Sequence, residues 1–455
     1  MITRIEIDGF KSFHDFKMDF TPFTVIAGLN ASGKSNLFDA LELLSKLAQY
    51  SLKESFVESR GNSDELFSMM DNGRCDTMRF AVEMLVGRKI KDNWGIEKEI
   101  KSPRLRYELS IKRVNKSADY EDLVVTNESL ELIKTKSDKW AKTFLPDPSI
   151  WKSTQHGGSK PFIKPETISG KSSIYLRQDS GMGGKHTPAN TINQTVLSGV
   201  NSNDFPHVFA AKMEMVSWNF MQLNPEVLRE PTKMGFQMSD VITHNGGNLA
   251  AALYRIKEQD DYSLIEISRE LGKFLPEYVS VDVEKDDANK LFIIKLKNKD
   301  GVSYSSRVLS EGTLRLLALI IMQFDDRHKG LLCFEEPENG IHPQRLKQMV
   351  YLLHDLSSDF NNDSASLRQV IVNTHSPTII KCLLDWSEDK MVSIFFSKMS
   401  TDLFELNGSK VKMRATKINK IFKERSRGLF DVGKEDPRTL AELNDYLDTV
   451  NVNDL

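Results

Sequence analysis

A glycine-rich segment near the start of the chain most strongly constrains its fold. Residues 28–35 read Gly-Leu-Asn-Ala-Ser-Gly-Lys-Ser and match the pattern G-x-x-x-x-G-K-[ST] at every fixed position. An apolar run precedes them at 23–27, and apolar residues within 37–48 recur every three or four positions, the period of an amphipathic helix. The sequence therefore predicts a loop between a strand and a helix, with backbone N–H groups at the helix start arranged around phosphate oxygens.

The same loop provides candidate residues for binding nucleotide phosphates. Lys34 would neutralise the β- and γ-phosphates, and the hydroxyl of Ser35 would coordinate Mg²⁺. A chance glycine loop would lack the flanking strand and helix patterns. The predicted nucleotide-binding residues of this segment are Gly28, Asn30, Gly33, Lys34, Ser35 and Asn36.

A second apolar run ends in two acidic residues. Residues 331–334 are followed by Glu335 and Glu336. A buried strand that delivers acids at its carboxyl end can hold a metal ion and orient an attacking water in P-loop enzymes. We therefore assign Glu335 to Mg²⁺ together with Ser35, and Glu336 to the water as a catalytic residue.

Two other segments complete the candidate site. The apolar run 370–372 precedes His375, and because this is another core strand we predict a catalytic contact to the γ-phosphate rather than a structural histidine at a turn. Ser310 fits as the N-cap of an apolar helix at 314–324, and Gly312 leaves the backbone open in its first turn. Such a helix N-terminus is a candidate anion site, although an ordinary capped helix would show the same pattern.

The rest of the pattern predicts an α/β chain in three parts. Alternating apolar and polar residues through 78–132 predict an antiparallel sheet, and a segment rich in Gly, Ser, Thr and Lys at 133–205 predicts an irregular, partly flexible insertion. The predicted helices and hairpin lie at about 204–223, capped by Asp204, and at 247–257, 263–274 and 279–296. The parts are an N-terminal lobe at 1–132, an inserted region at 133–278, and a C-terminal lobe with a short tail at 279–455.

Composition excludes several classes of function. The chain has 61 Lys and Arg against 64 Asp and Glu, a formal net charge of −3, so no global basic field could hold nucleic acid. Three widely separated cysteines exclude a disulfide framework and a thiolate zinc site. The longest apolar run, seven residues at 316–322, is too short to span a membrane, and the N-terminus lacks a signal-peptide pattern. We therefore expect a cytoplasmic protein without a membrane partner.

The candidate elements, in this order, resemble those of the ABC-type ATPases: Walker A at 28–35, the signature at 309–313, Walker B at 331–336 and the switch histidine His375. Two stretches resemble the RecF and SMC branch: Ile-Glu-Ile-Asp-Gly-Phe-Lys-Ser-Phe at 5–13 and Gly-Lys-Ser-Asn-Leu at 33–37. The run Glu-Glu-Pro-Glu-Asn-Gly-Ile-His-Pro from Glu335 is closer to the OLD-like ATPases, which are frequent in bacterial anti-phage defence. The resemblance implies an α/β fold, with an ABC-type P-loop ATPase core, an antiparallel β subdomain and a helical or irregular insertion.

The resemblance also implies an ATP site shared between protomers. Nucleotide and Mg²⁺ bound by one protomer would be closed over by Ser310 and Gly312 of another, so a homo-oligomer is expected. Glu311 and Glu335 replace the glycine and aspartate of many family members, and both replacements occur in the OLD-like pattern. Full OLD proteins carry a C-terminal nuclease, whereas 80 residues follow His375, so a separate effector protein such as a nuclease or toxin is expected.

These features favour an ATP-dependent sensor or regulator in anti-phage defence, with three alternatives. A transporter subunit would share the motifs, but 275 residues separate Lys34 from Ser310, a larger insertion than the helical subdomain of that family. A RecF-like DNA-repair ATPase is the second alternative. The third is a slowly hydrolysing, nucleotide-gated scaffold that sequesters another protein.

The segment 133–205 is a candidate for recognising a partner or nucleic acid. It carries ten Lys or Arg and five Asp or Glu, and aromatic residues alternate with lysines, which suits phosphate contact and base stacking. The alternative is a mobile loop whose aromatic side chains pack on the ATPase core. The residues concerned are Trp140, Phe144, Trp151, Phe162 and Tyr175 with Lys139, Lys142, Lys152, Lys160 and Lys164.

Overall fold

The structure of the chain is a computed structural model that describes residues 1–71, 73–92, 94–117, 120–145, 160–181, 183–189, 191–201, 204–235, 239–358, 360, 367–383, 386, 388–406, 409–423, 430–431 and 445–447. The strands are β1 (Ile2–Asp8), β2 (Phe16–Asp19), β3 (Phe23–Ala27), β4 (Met69–Met70), β5 (Gly73–Arg74), β6 (Thr77–Leu85), β7 (Lys89–Lys91), β8 (Glu97–Glu99), β9 (Arg104–Ser117), β10 (Tyr120–Leu132), β11 (Ile163–Ile168), β12 (Lys171–Arg177), β13 (Gly184–Pro188), β14 (Asn219–Met221), β15 (Thr232–Lys233), β16 (Tyr278–Asp286), β17 (Leu291–Asn298), β18 (Ser303–Ser305), β19 (Gly330–Glu335), β20 (Arg368–Thr374), β21 (Val392–Leu406), β22 (Ser409–Lys420), β23 (Phe422–Lys423) and β24 (Phe430–Asp431). The helices are α1 (Lys34–Leu47), α2 (Leu52–Val57), α3 (Lys139–Phe144), α4 (Pro206–Val216), α5 (Pro225–Arg229), α6 (Leu249–Gln259), α7 (Tyr262–Phe274), α8 (Glu311–Phe324), α9 (Pro343–Asp355) and α10 (Pro377–Leu383). Among these residues, none of the helices has the length and apolarity needed to cross a membrane.

A mostly parallel six-stranded sheet forms the centre of the fold. Its order is β14-β19-β20-β3-β21-β22, in which the first five strands run parallel and β22 returns antiparallel to β21. All five residues of β3 are buried, as expected for a strand covered on both faces. One face packs against α1 and the other against α8, so that apolar clusters lie on both sides of the sheet. The predicted α/β fold is confirmed.

The strand order brings the predicted motifs to one edge of this sheet. β20 lies between β19 and β3, with Glu335 opposite Asn373 and Thr374 opposite Ala27. The loop at 28–33 therefore leaves the sheet next to the end of β20, and the acidic residues leave it on the other side of β20. Carboxyl ends of parallel strands are where α/β folds place their ligands.

The second sheet is larger and antiparallel, and it corrects one prediction. Its order is β13-β12-β11-β10-β9-β6-β1-β2. The three alternating stretches predicted at 78–132 are present as β6, β9 and β10. The segment 133–205, predicted to be irregular, instead contributes α3 and the strands β11, β12 and β13, which extend the same sheet past residue 132. These strands were not predicted because they contain few apolar residues that face the core, such as Ile163 and Ile174, and many polar residues.

The helix predicted to begin at Asp204 and continue to about 223 is also corrected. Phe205 is the residue before the first helical position, and α4 ends at Val216. Residues 219–221 form β14, which pairs in parallel with β19 at the edge of the central sheet. The continuing apolar residues do not distinguish a helix from a short strand. The predicted helices near 247–257 and 263–274 and the hairpin at 279–296 are confirmed as α6, α7 and β16–β17.

A buried glutamine joins the two sheets. Gln369, on β20, is fully buried, and its side chain accepts a hydrogen bond from the Ile2 N–H at 2.9 Å. Its amide nitrogen donates to the carbonyls of Ile2 at 2.8 Å and Thr21 at 3.0 Å. One side chain thus satisfies backbone groups of β1 and of the turn before β3, where the two sheets meet.

We predict that Gln369→Leu lowers the free energy of unfolding by about 1–3 kcal/mol, because the buried Ile2 N–H loses its acceptor. Chemical denaturation followed by circular dichroism measures the change. The control is Gln344→Leu at an exposed position on α9, where we expect a change within about 0.5 kcal/mol. Equal stability of the Gln369 variant and wild type would show that the hydrogen bonds of Gln369 do not contribute to the free energy of unfolding.

Candidate functional site

The predicted phosphate loop is packed tightly against the two C-terminal strands of the central sheet. Gly33, the N-cap of α1, has φ of 91°, a conformation that favours glycine. A Cβ atom at Gly33 would lie 1.8 Å from Thr416 Oγ1, and one at Gly28 would lie 2.4 Å from the carbonyl oxygen of Ser397. The hydroxyl of Ser397 also donates to the Ser32 carbonyl at 2.9 Å. The neighbouring strands β21 and β22 therefore require glycine at both fixed positions of the loop.

Lys34 is buried and folded back on its own loop. Its amine donates to the carbonyls of Gly28 at 2.7 Å and Leu29 at 2.8 Å. Burial lowers the pKa of Lys34, and the negative charges of Glu336, Glu338 and Glu335 oppose that shift. The amine therefore lies inside the loop, within hydrogen-bond distance of its backbone oxygens.

Ser35, Glu335 and Asn373 form a small cluster of oxygen and amide groups. The hydroxyl of Ser35 donates to Glu335 Oε1 at 2.6 Å. The Asn373 amide nitrogen lies 3.4 Å from Ser35 Oγ and 3.5 Å from Glu335 Oε1, and its Oδ1 is buried with no hydrogen-bond partner. Oxygen ligands of this kind suit Mg²⁺. In the part of the chain described, no group of three or more His, Cys, Asp or Glu side chains is arranged to hold a metal by itself.

The second acid and the histidine face each other across the strand ends. Glu336 has φ of 46°, which is strained for a residue with a side chain, and its N–H donates to the Asn373 carbonyl at 2.8 Å. His375 Nδ1 lies 3.3 Å from Glu336 Oε1 and 3.5 Å from Glu338 Oε1. The Glu336 and His375 side chains are 35% and 40% exposed, so solvent and a ligand can reach both.

The predicted signature residues begin α8 beside the loop that follows Glu336. Ser310 is exposed and caps the helix, because its side chain accepts a hydrogen bond from the Thr313 N–H at 3.3 Å. A Cβ at Gly312 would lie 3.5 Å from the carbonyl oxygen of Gly340. Apolar side chains are exposed near the phosphate loop and near the signature residues. Leu29, in the loop, is 62% exposed, and Val308, just before the signature, is 67% exposed.

Two other predicted loop residues have different surroundings. Asn30 is exposed on the loop. The Asn36 side chain donates to Ser12 Oγ at 2.7 Å, and Ser12 in turn contacts Thr416 Oγ1 at 2.6 Å. Asn36 therefore connects α1 to the turn between β1 and β2 and, through Ser12, to β22.

Asn373 and Glu338 are site residues that were not predicted from the sequence. Asn373 ends the core strand that precedes His375, and Glu338 lies two residues after Glu336. Their positions in the sequence could have indicated them. Polar residues at the end of an apolar parallel strand, or in the loop after it, lie at the carboxyl edge of the sheet, where ligands bind. Their burial and contacts depend on the strand order.

The aromatic residues of 133–205 largely support the packing alternative. Trp140 is buried and its indole N–H donates to the Phe20 carbonyl at 2.7 Å, and Phe162 is fully buried. Neither ring can stack on a base. Lys164 pairs with Glu166, and the ring of Tyr175 lies 4.5 Å from that of His186. Trp151 and Lys152 lie outside the described residues.

Solved structures of SMC head domains resemble the chain at low identity. An SMC head bound to the C-winged helix domain of ScpA is 16% identical, with 94% of this chain and 99% of that chain covered and a TM-score of 0.46. The SMC head domain from Thermotoga maritima is 12% identical, with 91% and 98% covered and a TM-score of 0.35. An SMC head domain with an extended coiled coil, bound to the C-terminal domain of ScpA derived from Pyrococcus furiosus, is 13% identical, with 92% and 96% covered and a TM-score of 0.42.

Two family models match separate parts of the chain. Residues 1–151, which include the phosphate loop, match a model described as "AAA ATPase domain". Residues 240–381, which include α8, β19 and His375, match a model described as "AAA domain, putative AbiEii toxin, Type IV TA system". No protein of curated function matches the sequence. Both models describe AAA-type ATPase domains, and together they cover the strand ends at which the phosphate loop, the acidic pair and His375 meet.

Proposed function

We propose that the protein binds and hydrolyses ATP with Mg²⁺ and acts as a sensor or regulator in bacterial anti-phage defence, controlling a separate effector such as a nuclease or toxin. The observation that carries the ATPase proposal is the meeting of Lys34, Ser35, Glu335, Glu336 and His375 at one edge of the central sheet. The defence role is supported by the OLD-like motif and by the toxin–antitoxin wording of the model that matches 240–381.

The residues present suit the chemistry of phosphoryl transfer to water. In the proposed mechanism, Lys34 leaves its loop carbonyls and binds the β- and γ-phosphates, and His375 contacts the γ-phosphate. Glu336 orients the attacking water and accepts its proton as the oxygen bonds to phosphorus and the bond to ADP breaks. Ser35 and Glu335 would hold Mg²⁺, with Asn373 beside them, and the ion neutralises charge on the phosphate oxygens.

We predict that Lys34→Ala abolishes ATP binding, because no other lysine lies in a complete phosphate loop. Isothermal titration calorimetry measures the affinity, and thermal unfolding without nucleotide checks that the variant is folded. The control is Lys295→Ala, which removes a lysine on β17 that pairs with Glu284. Unchanged affinity in the Lys34 variant would contradict its assignment.

We predict that Glu336→Gln slows hydrolysis about 10²- to 10⁴-fold while ATP binding is retained, because an amide cannot accept the proton from water. The ATP-bound assembly should then accumulate, as measured by size-exclusion chromatography with light scattering. The control is Glu284→Gln, an exposed carboxylate on β16. Turnover near the wild-type rate in the Glu336 variant would exclude it as the base.

We further propose that the ATP site is shared between two copies of the chain. Ser310 is exposed at the start of α8, and the apolar side chains of Leu29 and Val308 are exposed near the two motifs that would meet. Burial of such side chains between protomers would stabilise a nucleotide-bound dimer.

The shared site predicts complementation between inactive subunits. A mixture of Lys34→Ala and Ser310→Arg chains should recover part of the ATPase activity, since one of the two composite sites in a mixed dimer is intact. The control is a chain carrying both substitutions, mixed with itself, which should stay inactive. Mixed dimers verified by differential tags that show no activity would indicate sites complete within one chain.

The biological role has a separate test. A host carrying the gene and its neighbours should restrict phage infection, and Glu336→Gln should abolish that restriction in a plaque assay. Protection from DNA damage without any effect on phage would favour the RecF-like alternative. Retention of restriction by the Glu336→Gln variant would favour the slow scaffold.

A further inference from the structure

Glu338 is a buried carboxylate at the site that the proposed mechanism does not use. Only 8% of the residue is exposed, in a loop whose neighbouring acid, Glu336, is much more open. Burial raises the pKa of Glu338, and the hydrogen bond from Thr374 opposes this shift. A carboxylate is costly to bury, so its contacts need an explanation.

The contacts of Glu338 are with Thr374 and His375, at the end of β20 and in the turn that follows it. Oε1 accepts a hydrogen bond from the Thr374 hydroxyl at 2.5 Å and from the backbone N–H of His375 at 3.2 Å. The same oxygen lies 3.5 Å from His375 Nδ1. Thr374 Oγ1 also accepts from the Ser376 N–H at 2.9 Å, so the hydroxyl links the carboxylate to the turn after β20.

A comparison with another buried carboxylate separates a positioning role from simple packing. Glu128, in the antiparallel sheet, uses both oxygens: they accept from the Tyr107 hydroxyl at 3.1 Å and from the N–H groups of Val196 at 2.7 Å and Leu197 at 2.8 Å. Glu338 uses one oxygen, and its Oε2 is buried with no hydrogen-bond partner. An unsatisfied buried oxygen lowers stability, which makes a purely structural role for Glu338 costly.

We propose that Glu338 is the positioning residue for His375, holding the Thr374–His375 backbone so that the imidazole stands beside Glu336 and toward the γ-phosphate. This inference rests on the proposed ATPase function. Glu338 touches neither water nor phosphate in this role, and it acts through His375. Among the described residues, His375 is the one His, Lys or Arg whose side-chain nitrogen lies within 4 Å of the Glu338 carboxylate.

The effect should fall on turnover and not on nucleotide affinity. A displacement of a catalytic group by about 1 Å can cost about 10²-fold in rate. We therefore expect Glu338→Ala to lower kcat by up to about 10²-fold, with less than about a threefold change in the affinity for a non-hydrolysable ATP analogue. Glu338→Gln keeps an acceptor oxygen for Thr374 and the His375 N–H, so it should recover most of the lost activity.

The decisive experiment is a double-mutant cycle with His375→Ala, measured as ATPase activity of the full chain. If Glu338 acts through His375, Glu338→Ala should cause no further loss in the His375→Ala background. The matched control is Glu128→Ala, which removes a buried, hydrogen-bonded carboxylate on β10 of the antiparallel sheet. This substitution should lower the free energy of unfolding without changing kcat per folded molecule. Thr374→Val, which removes one donor, should cause a smaller loss than Glu338→Ala.

Each outcome decides between the proposals. Multiplicative losses from Glu338→Ala and His375→Ala, or a folded Glu338→Ala enzyme with wild-type kcat, would overturn the positioning role while leaving the ATPase intact. A wild-type chain that neither binds nor hydrolyses ATP would overturn the proposed function itself. Should Glu338→Ala fail to fold, Thr374→Val decides in its place. A lowered kcat that disappears in the His375→Ala background would support the positioning role, and wild-type kcat would overturn it.

Discussion

The candidate site depends on three parallel strands that end side by side. β20 separates β3 from β19, and this one order brings the phosphate loop, the acidic pair and His375 to the same edge. The hydrogen bond from Ser35 to Glu335, at 2.6 Å, joins residues 300 positions apart and spans the ends of these strands. Asn373, at the end of the intervening strand, lies within 3.5 Å of both side chains.

The surroundings of the strand ends hold the loops in unusual conformations. Glycines 28 and 33 leave room for β21 and β22, and Glu336 takes a left-handed conformation that costs about 1–3 kcal/mol. Hydrogen bonds from the backbone of Glu336 and from Thr374 hold the two loops against β20 and Glu338. Local strain at the site is therefore balanced by contacts from the central sheet, in which β3, β19 and β20 are buried on both faces.

The antiparallel sheet contributes to the site indirectly. Gln369 connects it to β20, and Asn36 and Ser12 connect its first turn to α1 and to Thr416 of β22. The first and last parts of the chain thus contact the same few residues, although the insertion lies between them in sequence. The two family models match residues 1–151 and 240–381, on either side of part of that insertion.

The sequence alone determined the local elements and most of the candidate chemistry. The phosphate loop follows from glycine spacing, α8 from its cap and apolar run, and the acidic strand from four apolar residues before Glu335, because these signals depend on neighbours close in the chain. Strands β11 to β13 and β14 were missed, since short strands with few apolar residues are specified by the partners beside them. Only the tertiary structure decided that Trp140 and Phe162 pack inside, that Asn36 binds Ser12, and that Glu338 and Asn373 are buried at the site. Those facts depend on the order of strands in a sheet, a long-range property that no local spacing of residues encodes.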